Sequence, residues 1–140
     1  MDEKLHLRVI TMKASKGDAD QYKFDDDVEM VIFRCKPDSK GLFKGGDMGI
    51  LKNREDISAV LDTGVMRIRD GNEEKRMIVY GGIVQLKNNV LTVLTDSAEW
   101  PEDIDVLRAD KEYAEAEAAG NRAAMRHAMM QREVSEYKAS

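Results

Sequence analysis

The stretch Arg69–Thr95, RDGNEEKRMIVYGGIVQLKNNVLTVLT, decides the fold class. It holds three apolar runs, Met77–Tyr80, Ile83–Leu86 and Val90–Leu94. Gly81-Gly82 joins the first two and Asn88-Asn89 the last two. Val, Ile and Tyr suit a pleated, half-buried surface, and Asn and Gly accept the positive φ of tight hairpin turns. The stretch therefore reads as a three-stranded antiparallel meander.

Working upstream, Asp70-Gly71 is a further hairpin signal. It follows Val65–Arg69, in which Met66 and Ile68 face one way and Arg67 and Arg69 the other. Met48–Leu51 and Ile57–Leu61 are two more short apolar strands, and Val28–Cys35 is a long one. Tyr22 and Phe24 alternate with polar neighbours, as do Leu5, Leu7 and Val9 with His6 and Arg8, giving the period of a half-buried strand. Thr11–Asp20 and the Gly- and Pro-containing stretch Lys36–Gly46 read as loops. Asp25-Asp26-Asp27 invites a cation, but consecutive carboxylates in extended chain point to opposite faces, so the run reads as a solvated turn. Many short strands with no helical period before residue 95 indicate a β-sandwich or barrel.

Downstream the period changes. Asp103 is placed to cap a helix starting at Ile104, and Asp105–Ala119 is rich in Ala, Glu, Leu and Lys, all good helix formers. Gly120-Asn121 then supplies a C-terminal glycine and a cap for a second helix reaching Lys138, with Ala123, Met130, Val134 and Tyr137 on one face. Small residues along the first helix, Ala109 and Ala116 among them, allow close approach, so an antiparallel helix pair is favoured over one long rod. The predicted architecture is α+β: an N-terminal antiparallel β-sandwich over 1–96, then a C-terminal two-helix antiparallel hairpin over 97–140.

Composition narrows the function classes. At 140 residues with 42% hydrophobic residues the chain has a real core and room for one domain with an appendage. A net charge of −5 argues against nucleic-acid binding, which needs a clustered basic surface. No apolar run approaches the ~18 residues that span a bilayer, and the N-terminus lacks a secretory pattern. One cysteine, Cys35, fits a reducing compartment and reads as a small core residue. Two histidines, His6 and His127, with one cysteine do not make a zinc site, and His6 reads as a solvent-facing strand residue. No Ser/His/Asp or Cys/His arrangement is present.

Several segments in this order resemble the epsilon-subunit family of F-type ATP synthases: Asp27–Val31, Gly46–Leu51, Gly64–Ile68, Gly81-Gly82-Ile83, Val90–Leu94, Ala98-Glu99 and Ile104–Ala109. The resemblance implies a non-catalytic part of the rotary central stalk, regulating ATP hydrolysis and needing no cofactor. It implies the gamma subunit and the ring of c subunits as partners of the sandwich. The C-terminal helices would fold down on the sandwich or extend toward the alpha and beta catalytic subunits and brake ATP hydrolysis. The implied location is peripheral, at the cytoplasmic face of a bacterial plasma membrane. Departures are Lys52-Asn53-Arg54 where the family usually has Pro-Gly-His, a longer loop at Lys36–Gly45 and a shorter helical tail.

Ile104-Asp105-Val106-Leu107-Arg108-Ala109 also resembles the motif with which some bacterial members bind ATP as a regulatory ligand. That implies Asp105 accepting from the adenine amino group, Arg108 pairing with phosphate, Ala109 leaving room for the base, and Glu99 near the adenine. Arg122 and Arg126, spaced i, i+4, resemble the phosphate-binding arginines, while Glu115 stands where a further arginine is expected. The plainer reading makes Asp105 a charge favourable to the helix dipole and Arg108–Glu112 an i, i+4 ion pair. The alternative function is a stand-alone small-molecule-binding β-domain with a helical appendage.

Overall fold

A computed structural model of the protein describes residues 4–12, 22–37 and 45–137. Ten strands precede two helices: β1 Leu5–Thr11, β2 Tyr22–Val28, β3 Met30–Cys35, β4 Gly46–Leu51, β5 Ile57–Leu61, β6 Gly64–Asp70, β7 Glu73–Val79, β8 Gly82–Lys87, β9 Val90–Thr95, β10 Ala98–Glu99, α1 Val106–Ala119 and α2 Arg122–Glu136. The fold is the predicted sandwich followed by an antiparallel helix pair. One layer runs β10-β7-β6-β3 with β4 on β3, and the other β5-β8-β9-β1-β2. The two are joined where Cys35 of β3 pairs with Leu61 of β5. All pairs are antiparallel except β1 with β9, which is parallel.

The core is the inward half of each alternation: Leu5, Leu7 and Val9 of β1, Val31, Phe33 and Cys35 of β3, Met66 and Ile68 of β6, Val84 and Leu86 of β8, and Leu91 and Val93 of β9. Cys35 is a buried core residue, and burial pushes its thiol pKa up. The run Met77-Ile78-Val79 breaks the alternation because β7 is covered on both faces. Met77 and Val79 belong to the sandwich core, whereas Ile78 packs with Ile104 and Val134 beneath the helices.

Five sequence expectations are corrected, the last being the aspartate run. The Arg69–Thr95 meander is not continuous: Asn88-Asn89, with φ of 49° and 66°, makes the β8–β9 hairpin, but β7 pairs with β6 and β10, and β8 pairs with β5. Gly81-Gly82, with φ of 65° and 125°, turns the chain from one layer to the other. Val28–Cys35 is not one strand; it breaks at Glu29 between β2 and β3. The helix does not start at Ile104 under Asp103: Pro101–Asp103 forms a 3-10 turn, and Asp105 caps α1 by accepting from the Arg108 amide at 3.1 Å. Ala123 is exposed, and the second helix instead buries Ala128 and Val134. Ala109 and Ala116 are buried as expected, and Gly120 (φ 68°) and Asn121 close one helix and cap the next. The loop expectations at Thr11–Asp20 and Lys36–Gly46 fall mainly outside the described residues.

The aspartate run is not a turn but lies within β2, held by cationic partners on β1. His6 Nδ1 is 2.6 Å from Asp27 Oδ1 and His6 Nε2 is 2.6 Å from Asp25 Oδ1. Only a doubly protonated imidazolium donates to both carboxylates. The Asp27 and Asp25 hydrogen bonds raise the His6 pKa above its ordinary 6.5, and His6 and then Arg8 draw Asp25 below its ordinary 3.8. The raised His6 pKa gives stability that is full below 6.5 and lost as pH rises through the raised value. The lowered Asp25 pKa gives stability that is present above 3.8 and lost as pH falls through the depressed value. His6→Gln should therefore lower Tm most at about pH 5, and by less as pH rises through the raised His6 value. A Tm difference that does not change with pH would contradict the ion pairing.

Candidate functional site

The helix pair lies on the outer face of β7 and β6. Its apolar seam is short: Ile78, Ile104 and Val134 are buried, with Val65, Tyr80 and Met130 packed against them. Beside the seam is a polar cluster. Tyr80, just past β7, donates its hydroxyl proton to Glu99 of β10, and its oxygen lies 2.9 Å from His127 Nε2 of α2. Gln131 Nε2, one helical turn on, donates to Glu99 Oε1 at 3.0 Å. Burial, then the Glu99 hydrogen bond, pushes the Tyr80 pKa up, so the hydroxyl keeps its proton. That single proton goes to Glu99, so His127 must carry hydrogen on Nε2 and donate to Tyr80. The result is a directed chain, His127 to Tyr80 to Glu99, with Gln131 closing on the same carboxylate.

Two further contacts fasten the end of α2. The Tyr137 hydroxyl donates to the Glu74 carbonyl, and the Arg76 guanidinium lies 4.3 Å over the Tyr137 ring. Both helices thus hang on one sheet layer through a small apolar patch and a handful of polar contacts.

The predicted nucleotide residues divide into two groups. Glu99, Asp105, Arg108 and Ala109 line one half-open cleft of about 470 Å³, together with Tyr80, Glu112 and His127. Ile104 does not line it and is buried in the seam with Ile78 and Val134. Arg122 and Arg126 are exposed on α2 and do not line the cleft. Within the cleft each key group has a partner from the chain itself. Asp105 caps α1, Arg108 Nε donates to Glu112 at 3.0 Å, and Glu99 is taken by Tyr80 and Gln131. Asp103 adds another carboxylate to the lining.

His127 and Gln131 were missed by sequence reasoning. The signal available was their i, i+4 spacing on the side of α2 that also carries Ala128 and Val134. A polar pair among apolar positions on one helix face indicates a polar partner beneath. No group of three or more His, Cys, Asp or Glu able to hold a metal occurs among the described residues.

The sandwich's other layer carries a different feature. Val60 pairs with Ile83, Ile83 with Leu94, and Leu94 with Ile10, so one apolar row crosses four strands. Val60 is 50% exposed and Ile83 52%. Adjacent exposed apolar side chains on a sheet face make this row a candidate docking surface.

Comparison with known proteins is consistent across sequence and structure. A family model described as "ATP synthase, Delta/Epsilon chain, beta-sandwich domain" matches residues 4–101. An "ATP synthase epsilon chain" of Alkaliphilus metalliredigens is 33% identical over 84% of this chain and 76% of its own length. Those of Alkaliphilus oremlandii and Caldicellulosiruptor bescii are each 36% identical over 64% and 63% of their lengths, so the chain spans just under two thirds of these two relatives. A chain of the Euglena gracilis mitochondrial ATP synthase shares the fold with a TM-score of 0.62 at 18% identity, over 97% of this chain and 81% of that one. A chain from the Tetrahymena thermophila mitochondrial ATP synthase central stalk and c-ring does so with a TM-score of 0.55 at 15% identity, over 90% and 97%.

Proposed function

The chain belongs to the ATP synthase delta/epsilon family, and on that premise we propose that it is the non-catalytic epsilon subunit of a rotary central stalk, with a helical arm that brakes ATP hydrolysis. The sandwich binds the gamma subunit and the c-ring, and the helices reach the alpha and beta subunits when they leave the sheet. The complex holds it at the cytoplasmic face of a bacterial plasma membrane. No helix among the described residues is long and apolar enough to cross a membrane.

The observation that carries this reading is the division of the two outer sheet faces. One is covered by the hairpin and the other presents the apolar row of Ile10, Leu94, Ile83 and Val60. A block with a fixed docking face on one side and a detachable arm on the other transmits torque and responds to state. The arm's attachment suits a switch. Isolated helices of this length gain little stability alone, and this pair is anchored by three buried apolar side chains. A two-state element needs only a small difference between its arrangements.

The test is a reversible tether. Glu99→Cys with Gln131→Cys places thiols at two positions whose native side chains meet at their tips, within the span of a short, reducible bis-thiol cross-linker. In an ATP synthase assembled with this chain, cross-linking should raise ATP hydrolysis and reduction should restore the brake. Hydrolysis indifferent to the tether would overturn the inhibitory arm.

ATP sensing is a second reading, favoured by the convergence of Glu99, Asp105, Arg108 and Ala109 on one cleft. With Arg122 and Arg126 outside that cleft, Arg108 is its phosphate partner, and weak affinity is expected. Saturable ATP binding that disappears in Arg108→Ala is the outcome this reading requires.

A further inference from the structure

We propose that a second cleft, where β7, the 3-10 turn and the end of α2 meet, binds a planar aromatic anion. Its volume is about 520 Å³, within the range of small-molecule sites. Lys75 and Arg76, on opposite faces of β7, border it from either side, Lys75 with Trp100 and Pro101 and Arg76 with Tyr137. It shares no residue with the Asp105–Arg108 cleft, and the proposal needs neither the rotor reading nor the ATP reading.

The chemistry follows from which groups are already engaged. Arg76 is committed: its Nε is 2.9 Å from Glu74 and its guanidinium lies over Tyr137. Lys75 is not. Its ammonium sits 5.7 Å from the Phe24 ring centroid, and no carboxylate pairs with it among the described residues. Phe24 in turn contacts Trp100, with ring centroids 6.1 Å apart. A cation with no ion pair among the described residues, beside aromatic walls, takes an anion, and the rings add stacking for a planar body. Glu102, the one carboxylate of the lining, directs the anionic group toward Lys75. Ser135 gives its proton to the Arg132 carbonyl at 2.7 Å, which leaves its lone pairs to accept from a ring amine.

The contrast with the other cleft is one of sign. Glu99, Asp103, Asp105 and Glu112 face a single arginine there, whereas here Lys75 faces one carboxylate and Arg76 is already taken by Glu74. A ligand in the second cleft touches sandwich and hairpin together and so holds the arm down. Nucleotides and aromatic carboxylates share the required chemistry.

Trp100 is the chain's only tryptophan, so its emission reports occupancy directly. The full-length protein is titrated with adenosine 5′-monophosphate, naphthoate, adenosine and inorganic phosphate. Saturable quenching by the monophosphate, naphthoate or both is expected, and which of them saturates identifies the source. Adenosine alone or phosphate alone should bind at least about ten-fold more weakly. Lys75→Gln should lose about ten-fold in affinity, Lys75→Arg should keep it, and Arg108→Ala should leave it unchanged. Flat titrations with both aromatic anions to about 10 mM would overturn the proposal. So would equal binding of adenosine or phosphate, or loss of binding in Arg108→Ala instead of Lys75→Gln.

Discussion

Gly82→Ala should destabilise the sandwich by about 4 kcal/mol, lowering Tm by roughly 10–20 °C, or prevent soluble expression. Gly82 sits where the chain passes from one layer to the other, with φ of 125°, a region that L residues rarely enter. A Cβ there would lie 2.0 Å from the Leu94 carbonyl oxygen and 2.8 Å from the Thr95 Cα. Both obstacles are backbone atoms, so no rotamer change relieves the clash. The strand must move instead, and Gly82 pairs with Leu61 on one side and Thr95 on the other. Moving it opens both ladders at the layer junction. Gly81→Ala is the control: φ there is 65°, the nearest atoms to a Cβ are 3.9 Å away, and the expected cost is only about 1–2 kcal/mol. Equal Tm losses for the two variants, by thermal unfolding, would contradict the corner geometry.

Ile104→Asp should release the helix pair while leaving the sandwich folded. Ile104 is 8% exposed and packs with Ile78 and Val134 in the seam between sheet and helices. A carboxylate there loses apolar burial and must be desolvated, at a cost of about 3 kcal/mol or more. Its sequence neighbours offer no counterion: Asp103 and Asp105 flank it, and Arg108 already pairs with Glu112. The seam contains three buried apolar side chains, so removing one leaves docking without its main support. The sandwich core has its own cluster, of which Ile104 is not a member. Amide hydrogen exchange is the readout: α1 and α2 should lose protection while β1 and β9 keep theirs. Unchanged protection in the helices would show that the seam is not what holds them.

Those two outcomes separate what the sequence made legible from what it did not. Strand existence was legible because Leu5, Leu7 and Val9, or Met66 and Ile68, alternate in the way one buried face requires. Asn88-Asn89 and Gly120-Asn121 were legible because positive φ and capping are local demands. Strand partners were not. Gly81-Gly82 looks the same in sequence whether the chain folds back or crosses to the other layer; the choice depends on where β5 lies. The parallel pairing of β1 with β9 joins residues more than eighty positions apart and leaves no local mark. Asp25 and Asp27 read as a solvated turn because their partners, His6 and Arg8, come from another strand.

For the candidate site, the motif residues Glu99, Asp105, Arg108 and Ala109 do share a cleft. The plainer reading of Asp105 as an N-terminal charge and of Arg108 with Glu112 as an ion pair is also visible, at 3.1 and 3.0 Å. Arg122 and Arg126 share a helix side by spacing, but which side meets the sheet depends on Val134 and Ala128, whose burial outweighs any arginine. Tyr80 was read as a strand residue, and its link to His127 spans forty-seven positions.

The proposed rotor role requires one sandwich face to hold a larger rotating partner. Mixing the full-length protein with the gamma subunit of an ATP synthase and separating the mixture by size-exclusion chromatography tests it directly. A co-eluting one-to-one complex is expected, weakened when Ile83→Asp interrupts the apolar row. A stand-alone binding domain has no need of gamma. Separate elution of the two proteins at micromolar concentration, or a complex indifferent to Ile83→Asp, would contradict the claim.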